Sequence, residues 1–144
     1  MAWTDLIAKI DSILQNECGL TEAPEVFSVK LLPETLMNLS YCVWCDELRP
    51  NESLSSMGND TYPINHFRIS VTFDLERNDP AKRDESVSKI EEIYKKIIHP
   101  SNYSSDTRII KFIGARTEQF KDEGFWAVAD LQFSAEYKLT YTGA

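Results

Sequence analysis

Apolar residues near the N-terminus recur at helical spacing: Leu6, Ile7, Ile10, Ile13 and Leu14. That stripe predicts a helix with one buried side, while Lys9, Asp11, Ser12 and Gln15 fall on the other. Thr4 is the expected N-cap and Cys18-Gly19 the expected stop. The period then changes from helical to two. Phe27, Val29 and Leu31 alternate with Ser28 and Lys30 up to Pro33, which predicts a first strand. A run over residues 41–48, closed by Arg49-Pro50, predicts a second. The clearest alternation sets Phe67, Ile69, Val71, Phe73 and Leu75 against His66, Arg68, Ser70, Thr72, Asp74 and Glu76. It predicts a third strand with one oily and one wet face.

Asp79-Pro80 then supplies an N-cap and a first-turn proline for a second helix. Val87, Ile90, Ile93, Tyr94, Ile97 and Ile98 form its stripe, Glu91–Lys95 and Glu92–Lys96 are favourable pairs one turn apart, and Pro100 ends it. The chain closes with a hairpin. Its arms cover residues 108–117 and 125–141, with a turn near Lys121-Asp122-Glu123-Gly124. Fully extended, the second arm would reach about 56 Å at ~3.3 Å per residue. A domain of this size is only ~40 Å across, so the arm must bend, break or project. The order α-β-β-β-α-β-β predicts an α+β fold with two layers. A mixed, mostly antiparallel sheet of about five strands would carry two helices on one face, in one unit spanning residues 1–144.

Residues 49–65, between the second and third strands, follow neither period. Loops longer than about 12–15 residues in compact domains are usually functional or disordered. Asn51, Asn59 and Asp60 bury nothing, whereas Leu54, Met57 and Tyr62 are apolar groups outside any stripe. With Arg49 they form a candidate partner-binding loop.

Charge narrows the function. Fifteen Lys and Arg against 23 Asp and Glu leave a net charge of −8 over 144 residues, which repels phosphate backbones and argues against sequence-independent nucleic-acid binding. No apolar run approaches the ~18–20 residues needed to span a bilayer. The N-terminal residues lack the basic flank and cleavage site of a signal peptide. Three cysteines, an odd number without framework spacing, point to a reducing, cytoplasmic compartment.

Cys42-Val43-Trp44-Cys45 is the one motif with chemical promise. A strand sets its two cysteines on opposite faces, about 10 Å apart, beyond the ~7 Å between Cα atoms that a disulfide tolerates. Asp46 and Glu47 also disfavour a reactive thiolate. The expected state is two reduced, unlinked, metal-free thiols. The alternative is a small metal or redox protein using Cys42 and Cys45, with Cys18 and His66 completing a tetrahedral site. His66 is expected to flank a strand and His99 to close a helix. Absence of a glycine-rich phosphate loop, a nucleophile motif or an identifiable acid–base pair predicts a non-enzyme without a cofactor.

The segment Gly124-Phe125-Trp126-Ala127-Val128-Ala129-Asp130-Leu131-Gln132-Phe133, with the element order, the long loop and the final hairpin, resembles the tail-terminator family of long, non-contractile-tailed bacteriophages. The resemblance covers nearly the whole chain in topology and about ten residues in motif. It implies a cyclic homo-oligomer, commonly a hexamer, that caps the tail tube, ends its polymerisation and meets the head–tail connector protein. DNA would pass through without specific binding, and the protein would reside at the tail–head junction of the virion after assembly in the host cytoplasm. Trp126, Glu136, Lys138, Thr140 and Tyr141 are then the candidate subunit interface. Other phage neck and minor capsid proteins share much of the pattern.

Overall fold

A computed structural model describes residues 3–23, 38–50, 60–75, 79–103, 107–120 and 126–140, with backbone alone at 60, 107–109, 119, 120, 126 and 140. The predicted strand at 27–31 and the turn at 121–124 lie outside these residues. The chain folds as an α+β structure with two principal helices and a five-stranded mixed sheet.

The first helix, α1, spans Trp3–Ser12 and runs on through a π-helical turn, Ile13–Glu17. It ends as expected at Cys18, with Gly19 at φ 68°, a left-handed conformation that glycine adopts without steric cost. Trp3 is already helical, so Thr4 lies inside the helix rather than capping it. Leu6, Ile10, Ile13 and Leu14 are buried, and Ile7 sits at the margin. A short strand, β1 (Thr21–Glu22), follows and pairs parallel with the start of β2 (Ser40–Pro50).

After β2 come β3 (Asp60–Thr61), β4 (Pro63–Asp74), α2 (Pro80–Ile98), β5 (Thr107–Phe120), β6 (Trp126–Tyr137) and β7 (Leu139–Thr140). The sheet order is β1-β2-β4-β6-β5, and β3 and β7 pair separately. Every contact beyond β1 is antiparallel. The over-long last arm resolves as a break: β6 stops at Tyr137, and Leu139–Thr140 crosses to β3.

The expected stripe of α2 holds at Ile90, Ile93 and Ile97. Val87 is 54% exposed, with Ser86 buried in its place. Asp79 caps the helix by accepting from the Ala81 amide at 3.0 Å, and Lys96 lies 3.4 Å from Glu92. Lys96 Nζ also donates to the Glu17 carbonyl at 2.6 Å, tying α2 to the end of the first helix. Both helices cover one sheet face. Between the layers lie Phe67, Ile69, Val71 and Phe73 of β4 with Ala127, Ala129, Leu131, Phe133 and Ala135 of β6. Phe133 stacks on Phe67 at 5.3 Å and tilts against Phe112 at 5.4 Å. Among the described residues no helix is long and apolar enough to cross a membrane.

The opposite face departs from expectation. It is polar in type but not wet throughout, since Ser40, Cys42, Ser70, Thr72 and Val128 are all buried. Their polar groups are satisfied locally, as burial demands. Ser70 Oγ donates to Asp130 at 2.5 Å, and Thr72 Oγ1 accepts from the Ser40 amide at 3.2 Å.

Candidate functional site

Three parts of the structure bear on function: the cysteine strand, the end of the molecule where β3 meets β7, and the outer strands of the sheet. Cys42 opposes Ser70, while Cys45 opposes Phe67 on the core side. The alternation therefore sends the two thiols to opposite faces, as the strand pattern predicts. Cys45 donates to Asn65 Oδ1 at 3.1 Å, and Asn65 Nδ2 reaches Tyr137 Oη at 3.5 Å. The third cysteine, Cys18, is buried, and that burial raises its pKa. Among the described residues no three His, Cys, Asp or Glu side chains gather to hold a metal ion. His66 lies within β4, paired between Glu47 and Ser134, rather than flanking the strand, because β4 begins earlier, at Pro63; His99 closes α2 as expected.

The candidate loop is shorter than its sequence suggests. Arg49 belongs to β2, opposite Ile64, and forms an exposed ion pair with Glu47 at 3.1 Å. Asn65, placed at the loop's far end, is a buried residue of β4. Part of the polar composition that argues for a loop is that of the exposed end of β2, whereas on the far side Pro63 and Asn65 are buried in β4. Asn51, Leu54, Met57 and Asn59 lie outside the described residues. Asp60 pairs with Thr140 and Thr61 with Leu139, and Tyr62 is half-buried between β3 and β4.

The candidate interface residues divide between two ends of one strand. Glu136 lies near the end of β6 opposite Ile64, and Lys138 and Thr140 follow at the β3–β7 crossing. Trp126 begins β6, opposite Asp74 and Phe120. Ten residues of strand, about 33 Å, separate it from Glu136. Tyr141 lies outside the described residues. The structure thus brings Arg49, Asp60 and Tyr62 to the same end of the sheet as Glu136, Lys138 and Thr140, and leaves Trp126 at the other.

The arrangement offers surfaces, edges and paired side chains. Tyr41 is the most elaborate paired group. Its hydroxyl donates to Asp11 Oδ1 and accepts from Gln15 Nε2, both at 2.9 Å. Burial drives its pKa far above the ordinary tyrosine value, Gln15 opposes the shift and Asp11 adds to it. This fastens α1 to β2 and is structural.

The fold itself has a counterpart among solved structures. It is similar to a chain described as belonging to the virion of a native gene transfer agent particle. The TM-score is 0.63 at 14% identity, over 93% of this chain and 92% of that one. No family profile matches the sequence, and no curated protein does. At 14% identity the likeness is one of fold.

Sequence reasoning missed the β3–β7 pair, because two-residue strands carry no period. It missed the buried second face because serine, threonine and cysteine read as wet. It also missed the outer strand edges that have no partner among the described residues, although Trp44, Leu48 and Ile113 on those strands are apolar and exposed.

Proposed function

We propose that this chain is a structural component of a phage-like particle, acting as one unit over residues 1–144. Within that class its role is that of a tail terminator, a ring of identical copies that caps a tail tube and adjoins the head connector. The observation that carries the reading is the fold shared over nearly the full length of both chains with a gene transfer agent virion component. The terminator-like segment around residues 124–133 favours that position in the particle over other neck or minor capsid roles. The net charge of −8 suits a ring around DNA, since each copy adds to the repulsion that keeps the duplex unbound. The partner surface is the sheet end carrying Arg49, Tyr62, Lys138 and Thr140, together with the connection over residues 51–59.

The test is tube capping. Purified protein added to polymerising tail tubes should stop their growth at the length present on addition. A variant with residues 51–59 replaced by a tight turn, checked for an unchanged thermal melt, should lose capping at least tenfold. Normal capping by that variant would move the partner surface elsewhere. Unlimited tube growth beside the intact protein would refute the terminator role.

A further inference from the structure

The sheet ends in two strands whose outer sides carry no partner among the described residues. β5 forms one border. Beyond its bulge between Cys45 and Glu47, β2 forms the other, since β1 covers only Ser40 and Tyr41. Residues 46–50 of β2 are all exposed, so neither face of this stretch is covered. On β5, Lys111, Ile113 and residues 115–118 are exposed in the same way. Trp44, Leu48, Val87, Ile113 and Leu139 are the exposed large apolar side chains among the described residues, and three of them belong to these two strands. A strand bare on both faces and unpaired along its backbone is a template for another strand.

Strand direction selects the template's match. β2 is antiparallel to β4, β4 to β6 and β6 to β5, so β5 runs opposite to β2. When β5 of one copy lies beside β2 of the next, with helices on the same side, the antiparallel alternation continues unbroken. The charges agree with this direction. β5 presents Lys111 and Arg116 with Glu118, and the bare part of β2 presents Asp46 and Glu47 with Arg49, so the balance is basic on one edge and acidic on the other. Those carboxylates are held only in exposed pairs with Arg68 at 3.4 Å and Arg49 at 3.1 Å, which cost little to rearrange. A two-fold β5–β5 contact would leave the β2 edge bare and would close at two copies.

We propose that copies of this chain join head to tail, by antiparallel pairing of the outer edge of β5 with residues 46–50 of β2 in the next copy. Such a contact repeats, and closes into a ring when the rotation per copy allows. It rests on the assembly reading above and names the two surfaces that reading requires.

The experiment uses two variants at exposed positions, Leu48→Asp on β2 and Ile113→Asp on β5, with native mass measured over a wide concentration range. Each alone should weaken self-association at least tenfold, with an unchanged thermal melt. Mixed one to one, they should form a heterodimer that grows no further, because each variant keeps the one edge that the other lacks. Wild-type assembly unaffected by either substitution would overturn the edge contact and leave the ring standing. Open filaments disrupted by both would support the contact and remove the ring. A wild-type particle that stops at two copies, or stays monomeric at every concentration, would overturn both.

Discussion

Phe133 is the residue on which the core turns. It is fully buried on β6, an interior strand, and touches rings from the strands on either side, Phe67 and Phe112. Phe133→Ala leaves a void that three packed strands cannot close, so about 3–5 kcal/mol of unfolding free energy should be lost in a urea titration. Tyr41→Phe tests a different bond. It removes the hydroxyl between Asp11 and Gln15 and should cost about 1 kcal/mol. The raised pKa of Tyr41 also fixes a sign. The folded state holds the phenolic proton more tightly than the unfolded chain, so this contribution is complete below the ordinary tyrosine pKa of about 10 and is lost as pH rises through the raised value. Alkaline unfolding of the wild type should therefore be steeper than that of Tyr41→Phe, measured by circular dichroism against pH.

Among the elements, α2 shows how far a sequence pattern reaches. Its cap at Asp79, its stripe through Ile97 and its stop before Pro100 were legible because capping and helical burial are local rules. Asp79→Ala should cost about 1 kcal/mol, read from the thermal melt. Val87 was misplaced because periodicity says which side a residue occupies and not how far the partner layer extends. Likewise β4 was legible in both faces, since strict alternation is a two-fold geometric fact, but its Ser70 and Thr72 were not legible as buried. One end of the candidate loop was misread for a related reason: exposed strand residues such as Arg49 and Pro50 have the composition of a connection. The surface of α2 also carries an acid-sensitive device. Burial alone would raise the pKa of Glu92, but hydrogen bonds and charge from Lys89 and Lys96 outweigh it and hold the carboxyl below its ordinary value. Its stabilising contribution is present above the ordinary carboxylate pKa of about 4.3 and fades as pH falls through the lowered one. With its side chain 40% exposed, solvent screening keeps the effect below about 1 kcal/mol. Glu92→Gln should lower neutral stability by less than about 1 kcal/mol and flatten the acid limb slightly, the two proteins converging at low pH.

At the scale of the whole molecule, the sheet carries its helices on one face, and β2 beyond its first residues and β5 have no outer partner among the described residues. The placement of β6 has a consequence for how each copy is made. β6 joins β4 on one side to β5 on the other, yet a ribosome produces it after both. Until β6 emerges, β2 with β4 and the lone β5 have no strand between them, and Phe67 and Phe112 lack the ring that links them. The nascent chain therefore holds an unfinished sheet until β6 has emerged, and its closure waits for pairings distant in sequence, a topology that folds slowly.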